Sequence, residues 1–293
     1  MGKKCDDIVN KRLRKKILKI ESFFDADCIS YYGQINEDSP VLIDRELRLL
    51  KKEGLHNKLV FILTTAGGSG SASERIVHVL RKHYDEVYFI IPNYAYSAGT
   101  VLSMSGDEIY MSYLSVLGPI DPQIQSRDER YVSVCGYLDK IDELIQKSKL
   151  PQTDENAITS IEFSMLTAFD LGEWGDLERV ERYTIDTLKQ NLINYKFKNW
   201  TTRESSQTSV TDEYKRDRAE EIATKLSNNE WNLHGKPLNI PMLDELGLKI
   251  KDYSLDEEVL NKINNYYHLL EDIIRENIDS PYDIFIHTRR VKL

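Results

Sequence analysis

Two continuous apolar runs, KLVFILTTAGG (58–68) and VYFIIPNYAYSAGT (87–100), constrain this chain more than any other feature. Neither alternates apolar with polar residues, so each reads as a strand buried on both faces, the habit of parallel sheets covered by helices. Each run closes on small residues and leads into a helical pattern, at 69–83 after the first and 97–105 after the second. Strands alternating with helices predict an α/β fold with parallel strands. The same reading gives a helix at 3–22, a strand at 28–35 and a helix at 40–53 ending at Gly54. Short strands follow at 108–112 and 115–118. From about residue 136 the texture changes to charged, periodic stretches at 137–149, 154–170, 176–197 and 212–227, with a polar loop at 201–211. A short helix leading into a strand is expected at 241–250. A helix at 254–277 and a terminal strand or arm complete the chain. No internal repeat or low-complexity tract interrupts it.

The 293 residues suffice for one large domain with a helical elaboration. Their formal net charge of -9 argues against nucleic-acid binding, which needs concentrated Lys and Arg. The N-terminus opposes that trend with Lys3, Lys4, Lys11, Arg12, Arg14, Lys15, Lys16 and Lys19. A solvated basic helix is the plainer reading; a weak contact with a membrane surface or an acidic partner is the alternative. Cys5, Cys28 and Cys135 have no metal-ligand spacing, and no His/Cys/carboxylate cluster suggests a metal or cofactor. The sparse, odd cysteine count suits a reducing compartment. No spanning segment or signal-peptide core is found, and Asp6 stands where a myristoylation signal needs Ser or Thr. A cytoplasmic location is expected, which empties the Asn199-Trp200-Thr201 glycosylation match of meaning. Trp174, Trp200 and Trp231 are expected to pack in the helical part. Tyr31-Tyr32 and Tyr266-Tyr267 are expected on amphipathic surfaces or interfaces.

The chemistry concentrates at the two closing corners. AGGSG (66–70) departs from the dinucleotide fingerprint at Ser73, and the next strand ends in Asn93-Tyr94 rather than an acid. No Lys follows the glycines, so a Walker-type phosphate loop fails. Two readings remain: glycines that only turn the chain, or backbone N–H groups aimed at a developing oxyanion, which glycine lets a carbonyl approach closely. At the second corner Ala95-Tyr96-Ser97-Ala98-Gly99 is a small-x-Ser-x-Gly arrangement similar to a nucleophile elbow. Ser97 is there either a helix N-cap or a nucleophile. Neighbouring parallel strands end on the same side of a sheet, so both corners can line one crevice.

TTAGGSGSAS, PNYAYSAGT and LGPIDPQ together resemble the ClpP/crotonase superfold, and within it the serine-dehydrogenase proteinase family, relatives of the signal-peptide peptidase A proteases. YKFKNW (195–200), RAEEIATKLSNNEWNLHGKP (218–237) and LDELGLKI (243–250) also resemble that family, so the likeness spans roughly 25–255. It implies repeated strand-turn-helix units, homo-oligomers, Ser97 as nucleophile, and Gly67, Gly68 and Ala98 as the oxyanion hole. ClpP-type enzymes carry a His in the loop after the strand that follows the nucleophile helix. This chain has Gly118-Pro119-Ile120-Asp121-Pro122-Gln123 there and no His. Signal-peptide peptidase A enzymes use a later Lys, for which Lys140, Lys147 and Lys149 stand as candidates. A Lys base must be brought down from about 10.4 to near neutrality, a cost of about 4–5 kcal/mol, whereas a His needs almost none. His234, in NLHGKPL, is therefore the provisional base, with Asp121 to orient it; a hydrogen-bonded loop His and a turn-bracing Asp are the bland readings.

The expectation is an α/β protein: a basic N-terminal helix (1–24), a ClpP/crotonase-like domain (25–255) with a helical elaboration at about 136–230, and a C-terminal helix with a strand or arm (256–293). It is expected to be a cofactor-independent serine peptidase acting on a peptide or protein substrate. A crotonase-type acyl-CoA enzyme, a noncatalytic oligomeric scaffold and a lipase-like α/β-hydrolase are the competing readings.

Overall fold

Both apolar runs become strands covered on each face by helices. The computed structural model describes residues 2–125, 131–203, 207–227, 235–277 and 284–290. The chain opens with α1 (Gly2–Phe24), β1 (Asp27–Tyr32), α2 (Ser39–Lys51), β2 (Lys58–Thr64), α3 (Gly70–His83) and β3 (Glu86–Ile91). It continues with β4 (Tyr94–Ala95), α4 (Ala98–Ser103), β5 (Glu108–Met111), β6 (Val116–Leu117), β7 (Gln123–Gln125) and β8 (Tyr131–Ser133). Helices α5 (Val134–Ser148), α6 (Ser160–Thr167), α7 (Leu171–Asn191) and α8 (Asp212–Ser227) form the helical part. After them come α9 (Ile240–Glu245), β9 (Lys251–Asp252), α10 (Glu257–Asn277) and β10 (Phe285–Thr288).

The main sheet runs β10-β1-β2-β3-β5-β9, parallel throughout except for β10, which is antiparallel to β1. Period-two alternation explains the apolar runs. In β2, Leu59, Phe61 and Leu63 enter one core with α2 and α3, while Val60 and Ile62 enter a second core with α1 and α10. Leu13, Ile17 and Ile20 give α1 its buried stripe, and Lys11, Arg12, Arg14, Lys15 and Lys19 stay exposed on its outer side. The terminal strand is tied in by Arg289, whose guanidinium donates to Glu21 (2.7 Å), Asp27 (2.8 Å) and Glu53 (2.7 Å).

Several local expectations change. The second apolar run breaks at Pro92-Asn93, so β3 stops at Ile91 and β4 leaves the main sheet to pair with β6. The helix expected at 154–170 starts only at Ser160, where Thr159 and Glu162 form a reciprocal capping box. The antiparallel β7–β8 pair was not anticipated. Tyr31, Tyr266 and Tyr267 are buried rather than at a surface, because each hydroxyl finds an internal partner: Gln34 O and Ser39 for Tyr31, His287 Nδ1 for Tyr266 and Thr64 for Tyr267. Among the described residues no helix is long and apolar enough to cross a membrane, and no cluster of three or more potential metal ligands occurs.

Candidate active site

Beyond β2 the chain turns through Thr65-Ala66-Gly67-Gly68-Ser69; beyond β3 it turns through β4 and Tyr96-Ser97. The two corners are zipped together by backbone bonds. Thr65 N–H donates to Tyr94 O (3.1 Å), and Tyr96 N–H donates to Thr65 O (3.0 Å). Gly67 comes closest: a Cβ on it would lie 2.9 Å from both Ser97 Cβ and Tyr96 O. With φ +105° as well, this position excludes any side chain, which is the physical need for glycine here.

A parallel bridge joins Gly68 to Ile35. Ile35 N–H donates to Gly67 O and Ser69 N–H to Ile35 O, both at 2.8 Å. In that pattern the bridging residue's own N–H and C=O point away from its partner strand. The Gly68 N–H accordingly has no partner among the described residues. Neither has the N–H of Ala98, the first residue of α4. The sequence expectation assigned both glycine amides to the oxyanion. The structure instead commits the Gly67 N–H to Thr65 Oγ1 (3.0 Å).

Ser97 itself adopts φ 51°, ψ −116°, a region that costs a non-glycine residue about 1–3 kcal/mol. It stands at the N-cap position of α4, yet its side chain makes no capping bond and its Oγ has no partner among the described residues. The N-cap alternative is therefore not what this serine does. The strain is held from several sides. Gly99 N–H donates to Tyr96 O (2.8 Å), and Ser73 Oγ donates to Ala98 O (3.2 Å). The Thr100 hydroxyl accepts from Gly118 N–H (3.0 Å) and lies 2.9 Å from the Ala95 and Gly118 carbonyls. Gly118 also sits under the Tyr96 ring, where a Cβ would meet Cδ1 at 2.5 Å. Thr65 and Thr100 were missed from sequence; the signal was a hydroxyl residue two positions before Gly67 and one just inside the serine helix.

The expected partners of Ser97 are placed less directly. Asp121 is buried, at 5 % exposure. Its segment is pinned by Ile120 N–H to Leu226 O and Val134 N–H to Pro122 O, both at 2.9 Å. Its charge lies near the Cys135 thiol, which burial first, and then Glu181 and Asp121, push up to about 12. Cys135 is thus an inert thiol. His234 lies outside the described residues. His287 is sealed in the core, where desolvation lowers it to about 3. Of the candidate lysines, Lys140 and Lys147 lie on α5 and Lys149 is its C-cap. Lys140 pairs with Glu143 (2.8 Å), and Lys149 donates to Gln146 (3.2 Å). Lys147 pairs with Glu162 and Glu143, which raise its pKa, the opposite of what a base for serine requires.

Residues 29–156, which contain both corners and the 118–122 segment, match the family of ClpP-like SDH-type serine proteinases. Its ClpP-like fold is the mostly parallel α/β architecture described above. Two uncharacterized proteins of Methanocaldococcus jannaschii are similar to the chain. One is 26% identical over 214 residues, covering 73% of this chain and 58% of the relative; the other is 24% identical over 230 residues, covering 78% and 64%. The chain thus spans about three-fifths of the length of these curated relatives. Solved structures of the 1510-N membrane-bound stomatin-specific protease also align. A mutant in complex with a substrate peptide aligns at 21% identity and TM-score 0.33, over 41% of this chain and 56% of that one. A second mutant aligns at 19% and 0.33, over 50% and 81%.

Proposed function

We propose that the SDH-type segment makes this protein a serine peptidase with Ser97 as nucleophile. The observation that carries the reading is the meeting of the corners: a strained serine, packed against Gly67, whose hydroxyl and the amides of Gly68 and Ala98 beside it have no partner among the described residues. In this reading Ser97 Oγ attacks the peptide carbonyl carbon and its proton passes to a base. The carbonyl oxygen, now negative, accepts from the Gly68 and Ala98 N–H groups. Collapse breaks the C–N bond, the amine leaves with the proton, and water then hydrolyses the acyl-serine. Gly67 contributes closeness rather than a hydrogen bond. His234 is the proposed base, oriented by Asp121. A homo-oligomer in the cytoplasm is the proposed setting. Loss of one oxyanion donor typically costs about 10²–10³ in kcat.

The test is hydrolysis of fluorescent casein by the purified protein and by Ser97→Ala, with circular dichroism as the folding control. Turnover lost in a folded Ser97→Ala supports the reading. Equal turnover in the variant, or none in the wild-type protein, overturns it; the latter result is what a noncatalytic scaffold gives.

A further inference from the structure

A second concave site lies at the opposite end of the sheet. A cavity of about 780 Å³ opens where β3 and β5 begin, lined by Tyr88, Glu108, Lys196, Trp200, Arg203 and Tyr214 among others. Ser97 follows the far end of β3, and a six-residue strand alone separates the two by about 16 Å. The cavity therefore belongs to neither corner. Its size falls within the range of small-molecule sites.

The walls combine aromatic faces with under-used charges. Trp200 packs between Phe197 (centroids 5.1 Å) and Tyr214 (5.6 Å), and the Arg203 guanidinium lies 3.4 Å from the Tyr214 ring centre. Lys196 ends the π-helical turn Leu192–Lys196 that extends α7, a distortion often found at functional sites. Its side chain is 4% exposed, yet its Nζ has only long contacts, to Glu108 (3.4 Å) and Asp107 O (3.5 Å). Desolvation lowers its pKa, the mark of a buried ammonium short of a counter-charge. Arg203 Nε is buried without an acceptor among the described residues, and Asp107 Oδ1 is buried without a donor. Asp107 Oδ2, by contrast, is satisfied by Arg81 (2.7 Å) and Val87 N–H (2.9 Å).

The lining thus carries both signs, with Glu86, Asp107, Glu108 and Asp244 facing Lys196, Arg203 and Lys249. A simple anion or cation would meet like charge on one side. A zwitterion with an apolar body would meet complementary groups throughout. We propose that this cavity binds a free α-amino carboxylate with an aromatic side chain, an amino acid or short peptide. Its carboxylate sits between Lys196 Nζ and the Arg203 guanidinium, its ammonium at Glu108, and its ring against Trp200. Such a ligand gives the Lys196 ammonium the close counter-charge that its contacts at 3.4 Å and 3.5 Å do not. Leaving a buried ammonium without one is otherwise costly.

The probe is L-phenylalanyl-L-phenylalanine, titrated calorimetrically into the full chain carrying Ser97→Ala so that hydrolysis cannot contribute. The comparison ligand is the same dipeptide acetylated and amidated at its ends. Saturable one-site binding, weakened at least tenfold by capping and at least tenfold by Lys196→Met, supports the site. If Lys196→Met fails to fold, Arg203→Gln and Trp200→Ala take its place with the same expected loss. No saturable heat at millimolar dipeptide overturns the proposal. So does equal binding of the capped dipeptide, which would mark the cavity as an apolar groove, or binding that folded variants leave unchanged. The outcome is independent of whether Ser97 is a nucleophile.

Discussion

Two serines stand at two strand-to-helix corners a few ångströms from the same pair of glycines, and the backbone treats them oppositely. Ser69 has φ −68°, ψ 121°, and its Oγ accepts from Ala72 N–H at 3.1 Å, an ordinary N-cap. That hydroxyl also bonds Glu37 (2.7 Å) and Ser71 (2.9 Å). Ser97 sits at the same capping position of α4 with φ 51°, ψ −116°, and makes no capping bond. One hydroxyl is consumed by local structure. The other is held out of it at an energetic cost, by contacts from Gly67, Ser73 and Thr100. The contrast teaches that residue type and position relative to a helix do not separate cap from nucleophile. Backbone torsion and the partner count of the hydroxyl do.

The comparison breaks most sharply by exchanging each hydroxyl for hydrogen. Ser97→Ala is expected to lower kcat for peptide hydrolysis by about 10⁴ or more, with Tm little changed, because alanine keeps the Cβ that makes this torsion costly. The next largest effect is expected at Gly68→Ala. Its Cβ would lie 2.1 Å from Ile35 O at a φ of +138°, so the bridge that aims the Gly68 N–H must open. Denaturation should show a loss of about 3 kcal/mol, and steady-state kinetics a fall in kcat of about 10². Thr65→Val leaves the Gly67 N–H buried without its acceptor and loosens Gly67 against Ser97. About 1–3 kcal/mol of stability and roughly tenfold in kcat are expected to go. Smallest is Ser69→Ala, which removes the cap and the exposed bonds to Glu37 and Ser71: about 1 kcal/mol, a Tm lower by about 2–4 °C, and kcat as in wild type. A Ser69→Ala that loses activity while folded would show the two corners to be less distinct than their torsions imply.

The sheet was legible because its physics is local to each strand. Burial on both faces leaves an unbroken apolar run, and the small residues that close KLVFILTT and VYFII mark where each strand must turn. The convergence of those corners followed from parallel topology. Other features depend on partners far away in sequence and left no local trace. The Tyr266 hydroxyl is buried in a hydrogen bond with Nδ1 of His287, 21 residues on, and Thr64 reaches Tyr267 across 203 residues. The end of β3 at Ile91 has its signal in Pro92, which lies inside the apolar run and is masked by it. At the site, the serine and its glycines were visible as a pattern. The commitment of the Gly67 amide to Thr65 was not, since it depends on one side-chain rotamer. The base had no motif of its own. The lysines of α5 lay at plausible spacing in the chain, yet carboxylates one turn away and on α6 pair with Lys140 and Lys147.

Reaction with a fluorophosphonate probe, followed by mass-spectrometric mapping of the adduct, tests the nucleophile most directly, because it reports which hydroxyl attacks an electrophile without needing the natural substrate. One adduct, on the peptide containing Ser97, absent in folded Ser97→Ala and retained in Ser69→Ala, is the predicted result. Modification of Ser69 or another residue, or no modification of the folded wild-type chain, would contradict it.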